Sequence, residues 1–279
     1  MRSRIVDFFM HQIGAGFFVP DYAIALSVAI VLGLYLTTKE GERAGLETER
    51  VWRVCVIAIA AALVSARLYV VLQDWNYYRQ QPLEIFQIWK GGLASYGAYI
   101  GGGLAAILAA RWQRLPVARF LDCCAPAIAL AIVPGRLGCF LNGCCHGKIS
   151  SLPWALRFPE DSGPYFSQLD AGLIAPHQLS LPVHPTQLYE SVYALVIFFV
   201  LRGYRKKQKR DGELFAVLFA FYAFGRFLIE FLRDDDRGTF SFLSLPQVIS
   251  VVIGGVAIWF LFTTRRKNLI CAASLKPIT

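Results

Sequence analysis

The sequence predicts an all-α polytopic membrane protein with about seven transmembrane helices, and three observations carry that prediction. Hydrophobic residues make up 56% of the 279, and the mean hydropathy is +0.48. Charged residues fall to 17%, below the roughly 25% of soluble domains. Apolar runs close to the roughly 20 residues that span a bilayer recur at about 18–38, 51–73, 93–111, 119–141, 186–203, 212–233 and 246–264. The chain 1–279 therefore reads as a single membrane domain. Its net charge of +9 is spread between the apolar runs rather than along one face, so it points to membrane topology and not to nucleic acid. Met1–Pro20 lacks a small-residue cleavage site and precedes the first long run, so it reads as mature chain.

The connections alternate in basicity. Segments 39–53, 111–119 and 202–211 and the tail after the seventh run carry 17 Lys and Arg; the opposite side carries seven, Arg2, Arg4, Arg79, Lys90, Lys148, Arg157 and Arg237. The positive-inside rule then puts the N-terminus outside and the C-terminus in the cytoplasm, as an odd number of spans requires. The longest polar connection, 142–184, falls on the outer side. With Pro153-Trp154-Ala155-Leu156-Arg157-Phe158-Pro159 inside it, it reads as a folded extracytoplasmic cap. Segment 74–92, with Trp75, Tyr77, Tyr78 and Trp89, reads as an interfacial aromatic stretch.

Four arginines, Arg67, Arg136, Arg226 and Arg233, stay within the apolar runs. A charge there costs roughly 2.5–3.5 kcal/mol on insertion scales, which snorkelling relieves for a lone residue but not for several at one depth. Arg136 follows the apolar run 125–134 and begins the most polar part of the chain. Gly135-Arg136-Leu137-Gly138-Cys139-Phe140-Leu141-Asn142-Gly143-Cys144-Cys145-His146-Gly147 holds four glycines, an asparagine, three cysteines and a histidine. This stretch reads as the floor of a site. In the sixth run Arg226, Glu230 and Arg233 are spaced i, i+4, i+7 and so stack on one helical face. That pattern suits an anion site with Glu230 orienting Arg226, or, more blandly, an internal ion pair. The fifth run opens His184-Pro185-Thr186-Gln187-Leu188-Tyr189-Glu190. Proline fits the first turn of a helix, His184, Gln187 and Ser191 share a face, and Glu190 is expected to turn partly away.

The seven cysteines have no regular spacing and describe no disulfide framework. Structural zinc usually joins two separated ligand pairs. Cys124 precedes Cys139 by about 22 Å of helix, so these cannot converge, and no metal site is expected. Small thiols packing a tight helix end is the simplest reading. A redox enzyme using Cys144-Cys145 is the rival of a different class.

Taken together, these segments resemble the prolipoprotein diacylglyceryl transferase family. The resemblance rests on Gly135-Arg136-Leu137-Gly138 with Phe140, Asn142, Gly143 and Gly147, on His184 through Glu190, on Tyr222 through Arg233, on Trp89-Lys90-Gly91-Gly92-Leu93, and on Arg67. It implies transfer of diacylglyceryl from phosphatidylglycerol to the lipobox cysteine of a prolipoprotein, with release of glycerol phosphate. It implies a multi-pass enzyme of the bacterial inner membrane, in contact with membrane lipids, with no cofactor and no nucleic-acid partner; a monomer is expected. Arg136, Arg226, Glu230 and Tyr96 are the implied catalytic residues. Tyr22, Arg67, Asn142, Gly147, His184, Gln187, Tyr189, Glu190 and Arg233 are the implied substrate-binding residues. Tyr96 stands where the family commonly has histidine, Cys139 where asparagine is usual, and Cys144 where an acidic residue is usual. These departures leave open a sibling lipid transferase with another acceptor, or a membrane thiol oxidoreductase.

Overall fold

In the computed structural model, each of the seven apolar runs is helical over most of its described residues. The structure describes residues 21–88, 91–234, 239–240 and 243–274. Trp89 and Lys90 lie outside these, as do Arg2, Arg4, Arg237 and Lys276 of the basic residues that set the topology. The helices are α1 (Asp21–Arg43), α2 (Thr48–Gln73), the single turn α3 (Trp75–Tyr78), α4 (Ser95–Trp112), α5 (Val117–Leu141), α6 (Gly163–Asp170), α7 (Thr186–Tyr204), α8 (Glu213–Glu230) and α9 (Leu245–Ser274). A two-stranded hairpin, β1 (Thr239–Phe240) and β2 (Leu243–Ser244), pairs Thr239 with Ser244 and Phe240 with Leu243. Four helical segments are long and apolar enough to cross a membrane: Tyr22–Arg43, Thr48–Gln73, Val117–Leu141 and Leu245–Thr263. The other three long helices are diluted by polar residues. Glycines and tyrosines open α4, Thr186, Gln187 and Glu190 open α7, and α8 carries Glu213, Arg226 and Glu230.

The chain divides into two compact units, each taken by itself: Leu34–Cys124, and a second unit in which residues up to Gly33 join Ala125 onward. In the first, α2 packs along α4, which presents Gly97, Gly101 and Gly102. A Cβ at Gly97 would strike the Ser65 carbonyl, one at Gly101 the Ser65 side chain, and one at Gly102 would lie 2.8 Å from Ala62 Cβ. This is the small-residue crossing that lets two helices approach closely without a hydrophobic driving force between them. Val51, Val54, Ala110, Phe120 and Cys123 form the buried core at the other end of the unit.

Arg67 is buried on α2 and organises the link from α3 to α4. Its Nε donates to the Ile85 carbonyl at 2.9 Å, Nη1 to Gly91 and Gly92 at 2.9 and 3.0 Å, and Nη2 to Glu84 at 2.5 Å. The guanidinium also lies 5.2 Å from the Tyr78 ring centroid. A rigid fork with five donors suits a link whose carbonyls have no helical partner.

In the second unit, α7, α8 and α9 pack together, with Ala125, Ala129, Ile197, Leu201, Leu214 and Leu218 as the buried core. Segment 142–184 is folded. Isolated bridges join Ile149 and Leu156 to Val183, the Ser180 hydroxyl accepts the Phe158 amide at 2.7 Å, and Phe158 meets Phe140 edge-on at 5.7 Å. Helix α6 starts with proline in its first turn, as the helix rule predicts.

Two local expectations are corrected. The sixth run stops being helical at Glu230, so Arg233 does not continue the face of Arg226 and Glu230. Instead, residues 232 and 233 swing out to pair with Gly147 and Lys148, the Lys148 amide bonding the Leu232 carbonyl at 2.8 Å. Glu190 does not turn away either. It lies on the buried stripe of α7 with Thr186, Gln187, Ser191, Ala194, Ile197 and Leu201.

Candidate active site

The end of α5 is a Schellman motif. The Cys144 amide bonds the Cys139 carbonyl at 3.1 Å, the Gly143 amide bonds Phe140 at 3.1 Å, and Gly143 takes the left-handed conformation at φ 67°. This closure releases the chain toward Gly147. There a Cβ would come within 2.6 Å of both His184 Cβ and the Leu232 carbonyl, so only glycine threads between the start of α7 and the end of α8. The Gly147 amide bonds the His184 carbonyl at 2.9 Å. Two side chains of α7 then pin the loop: Thr186 Oγ1 donates to the Cys145 carbonyl at 2.8 Å and Gln187 Nε2 to the Cys144 carbonyl at 2.7 Å.

This frame gathers three arginines around one carboxylate. Glu190 Oε2 lies 2.6 Å from Arg136 Nη2, and Glu190 Oε1 lies 3.0 Å from Arg233 Nη1 and 3.6 Å from Arg226 Nη1. Glu230 holds Arg226 Nη2 at 2.6 Å, lies 3.9 Å from Arg233 Nε, and accepts the Ser244 hydroxyl at 3.0 Å. Arg226, Arg233, Glu190 and Glu230 are buried, and the Arg136 side chain is 18% exposed. Three guanidiniums against two carboxylates leave one net positive charge. Among the described residues Arg226 Nη1 is buried without a hydrogen bond of good geometry, and Arg226 and Glu190 line a crevice with Tyr193, Tyr222, Ile132 and Ile229. A buried, net-positive cluster with an unsatisfied guanidinium donor can receive a further anionic oxygen.

The remaining predicted residues surround this cluster or belong to the other unit. Tyr22 is partly exposed and packs against Gly138. Asn142 is exposed at the end of α5. His184 Nδ1 lies 3.3 Å from the Tyr189 hydroxyl, which accepts Trp154 Nε1 at 2.8 Å. Gln187 is fully buried and serves the loop carbonyl. Arg67 and Tyr96 belong to unit Leu34–Cys124, with Arg67 bound to carbonyls and Tyr96 41% exposed on the first turn of α4. Sequence reasoning missed Ser244, for which no motif signal exists. The sequence reading put Cys139, Cys144 and Cys145 at a tight helix end but did not foresee that all three sulfurs meet within 4.8 Å, for which Gly143 two residues after the helix was the available signal. Hydrogen bonds from the Cys139 and Cys144 thiols, with the Arg233 cation beside it, hold the Cys145 thiol well below the usual thiol range.

The family model for prolipoprotein diacylglyceryl transferase matches residues 9–263. A phosphatidylglycerol–prolipoprotein diacylglyceryl transferase of Enterococcus faecalis is 37% identical over 249 residues, covering 88% of this chain and 86% of the relative. One from Clostridioides difficile is 34% identical over 249 residues, covering 88% and 92%. One from Streptococcus uberis is 32% identical over 260 residues, covering 92% and 95%. A match that takes in Arg136, Glu190, Arg226 and Arg233 together with most of both chains makes this protein a member of the prolipoprotein diacylglyceryl transferase family.

Proposed function

We propose that this protein transfers the diacylglyceryl group of phosphatidylglycerol to the lipobox cysteine of a prolipoprotein. The observation that carries the reading is the convergence of Arg136, Arg226 and Arg233 on the single carboxylate of Glu190. That carboxylate marks where an anion sits among three guanidiniums. The acceptor thiolate attacks the glycerol carbon that bears the phosphate ester. The C–S bond forms as the C–O bond breaks, and the bonding pair leaves on glycerol phosphate. Negative charge thus grows on the phosphate in the transition state, where preorganised cations act most strongly. Glu190 and Glu230 hold the arginines apart until the lipid arrives and keep the cluster close to neutral. Tyr96 is the proposed proton-handling group, and the thiol must lose its proton before attack. Tyr96→Phe removes only the hydroxyl and is expected to slow transfer; unchanged rates across neutral pH would remove Tyr96 from the mechanism.

The proposed setting is the bacterial inner membrane, with seven spans, the N-terminus outside and segment 142–184 as an outer cap that receives the peptide. The apolar runs and the 17-to-seven bias of basic residues support this orientation. A phospholipid donor reaches such a site sideways from the bilayer. The proposal is tested by expressing the protein in a bacterium depleted of its own transferase. Growth, with a diacylglyceryl-modified lipoprotein N-terminus seen by mass spectrometry, is the expected result. Abundant membrane-inserted protein with only unmodified lipoprotein would overturn it.

A further inference from the structure

Three thiols meet where α5 ends. A Schellman closure places the residue two beyond the cap against one in the last turn, and here those two are Cys144 and Cys139. Cys145 follows in the left-handed region at φ 59° and turns its side chain back to the same point. The three sulfur atoms lie within 4.8 Å of one another, and among the described residues none is in a disulfide. We propose that Cys139, Cys144 and Cys145 form a three-thiolate binding site for a soft metal ion of the Cu(I) class.

The donor set selects the ion. Thiolates favour soft ions such as Cu(I) and zinc, whereas oxygen ligands favour hard ones. Zinc in structural sites takes four ligands. The nearest histidine does not supply a fourth: His146 Nδ1 lies 3.2 Å from the Gly147 carbonyl, and its Nε2 faces Gly163. Three sulfurs alone suit a trigonal soft ion. With metal–sulfur bonds of about 2.3 Å, a flat triangle needs sulfurs about 4.0 Å apart, so closing the site takes shifts below about 1 Å. The loop is already held in place, because Gln187 and Thr186 pin the carbonyls of Cys144 and Cys145 at 2.7 and 2.8 Å. Charge is compatible as well. Three thiolates and one monovalent ion carry a charge of −2, beside an arginine cluster with one net positive charge. Binding releases the thiol protons to solvent. The three cysteines are half-buried and reachable, unlike Cys55 and Cys123, which are buried.

The test uses the full chain in lipid nanodiscs, reduced and without oxygen, titrated with Cu(I) against a competing chelator. The ultraviolet thiolate-to-copper charge-transfer band reports binding, and alkylation followed by mass spectrometry reports which thiols the ion covers. The expected result is one ion per chain, with Cys139, Cys144 and Cys145 protected together in the unmodified protein. Cys139→Ser/Cys144→Ser/Cys145→Ser should lose the band, and Cys55→Ser should keep it. No band at one equivalent, or an unprotected trio in a protein that takes up the ion elsewhere, would overturn the site. Uptake of zinc with Cu(I) rejected would overturn the choice of ion. None of these readouts depends on lipid transfer.

Discussion

Glu190 is the residue on which the cluster depends, because its two oxygens face three arginines. Removing one arginine leaves two guanidiniums against two carboxylates, a balanced set. Removing Glu190 leaves three against one, buried in a low-dielectric site. Glu190→Gln, which keeps the shape and deletes the charge, is therefore expected to destabilise the protein by about 3–5 kcal/mol. Arg136→Ala should keep its fold. Thermal unfolding in detergent checks both: a large drop in Tm for Glu190→Gln beside a near-native Arg136→Ala supports the assignment, and equal behaviour contradicts it. The arginines were legible in the sequence because charge inside an apolar run is conspicuous. The centrality of Glu190 was not, since its direction depends on where the helix starts after Pro185. Its spacing from Gln187 and to Ala194, Ile197 and Leu201 was the available sign.

At the scale of elements, the site is built where α5 and α8 end and α7 begins, and not along one face of a single helix. Helix α8 stops at Glu230, and Arg233 reaches Glu190 only because residues 232 and 233 pair beside Gly147. Gly147→Ala inserts a methyl 2.6 Å from His184 Cβ and the Leu232 carbonyl, an overpacking of about 1–3 kcal/mol. The segment carrying Arg233 must then move away. Transfer should fall further than stability, measured as kcat against Tm in one preparation; a variant with native kcat would show that this crossing does not position Arg233. Hydropathy foretold the helices because it is a property of each run alone. These pairings escaped it because they join residues 147, 184 and 232, far apart in sequence, and neither partner has a local pattern. Arg67 is a parallel case: its carbonyl partners lie at 84, 85, 91 and 92, in a link without periodicity.

For the whole molecule, the proposed orientation puts segment 142–184 on the face opposite the basic link 202–211. In inside-out membrane vesicles, protease added to the medium should cut near the cluster Arg202 to Arg210 and leave 142–184 intact. Cleavage within 142–184 instead would invert the topology and put the arginine cluster on the cytoplasmic face. The claim joining every scale is that three arginines, held around a resident carboxylate, stabilise the leaving phosphate of a phospholipid. Purified protein in phosphatidylglycerol vesicles, given a lipobox peptide, tests it by the rate at which the peptide gains a diacylglyceryl mass. Loss of one preorganised donor to a developing oxyanion typically costs about a hundredfold to a thousandfold in kcat. The prediction is a loss of that size for Arg136→Ala and for Arg226→Ala in folded protein, and transfer by both variants at close to the unmodified rate would contradict the account.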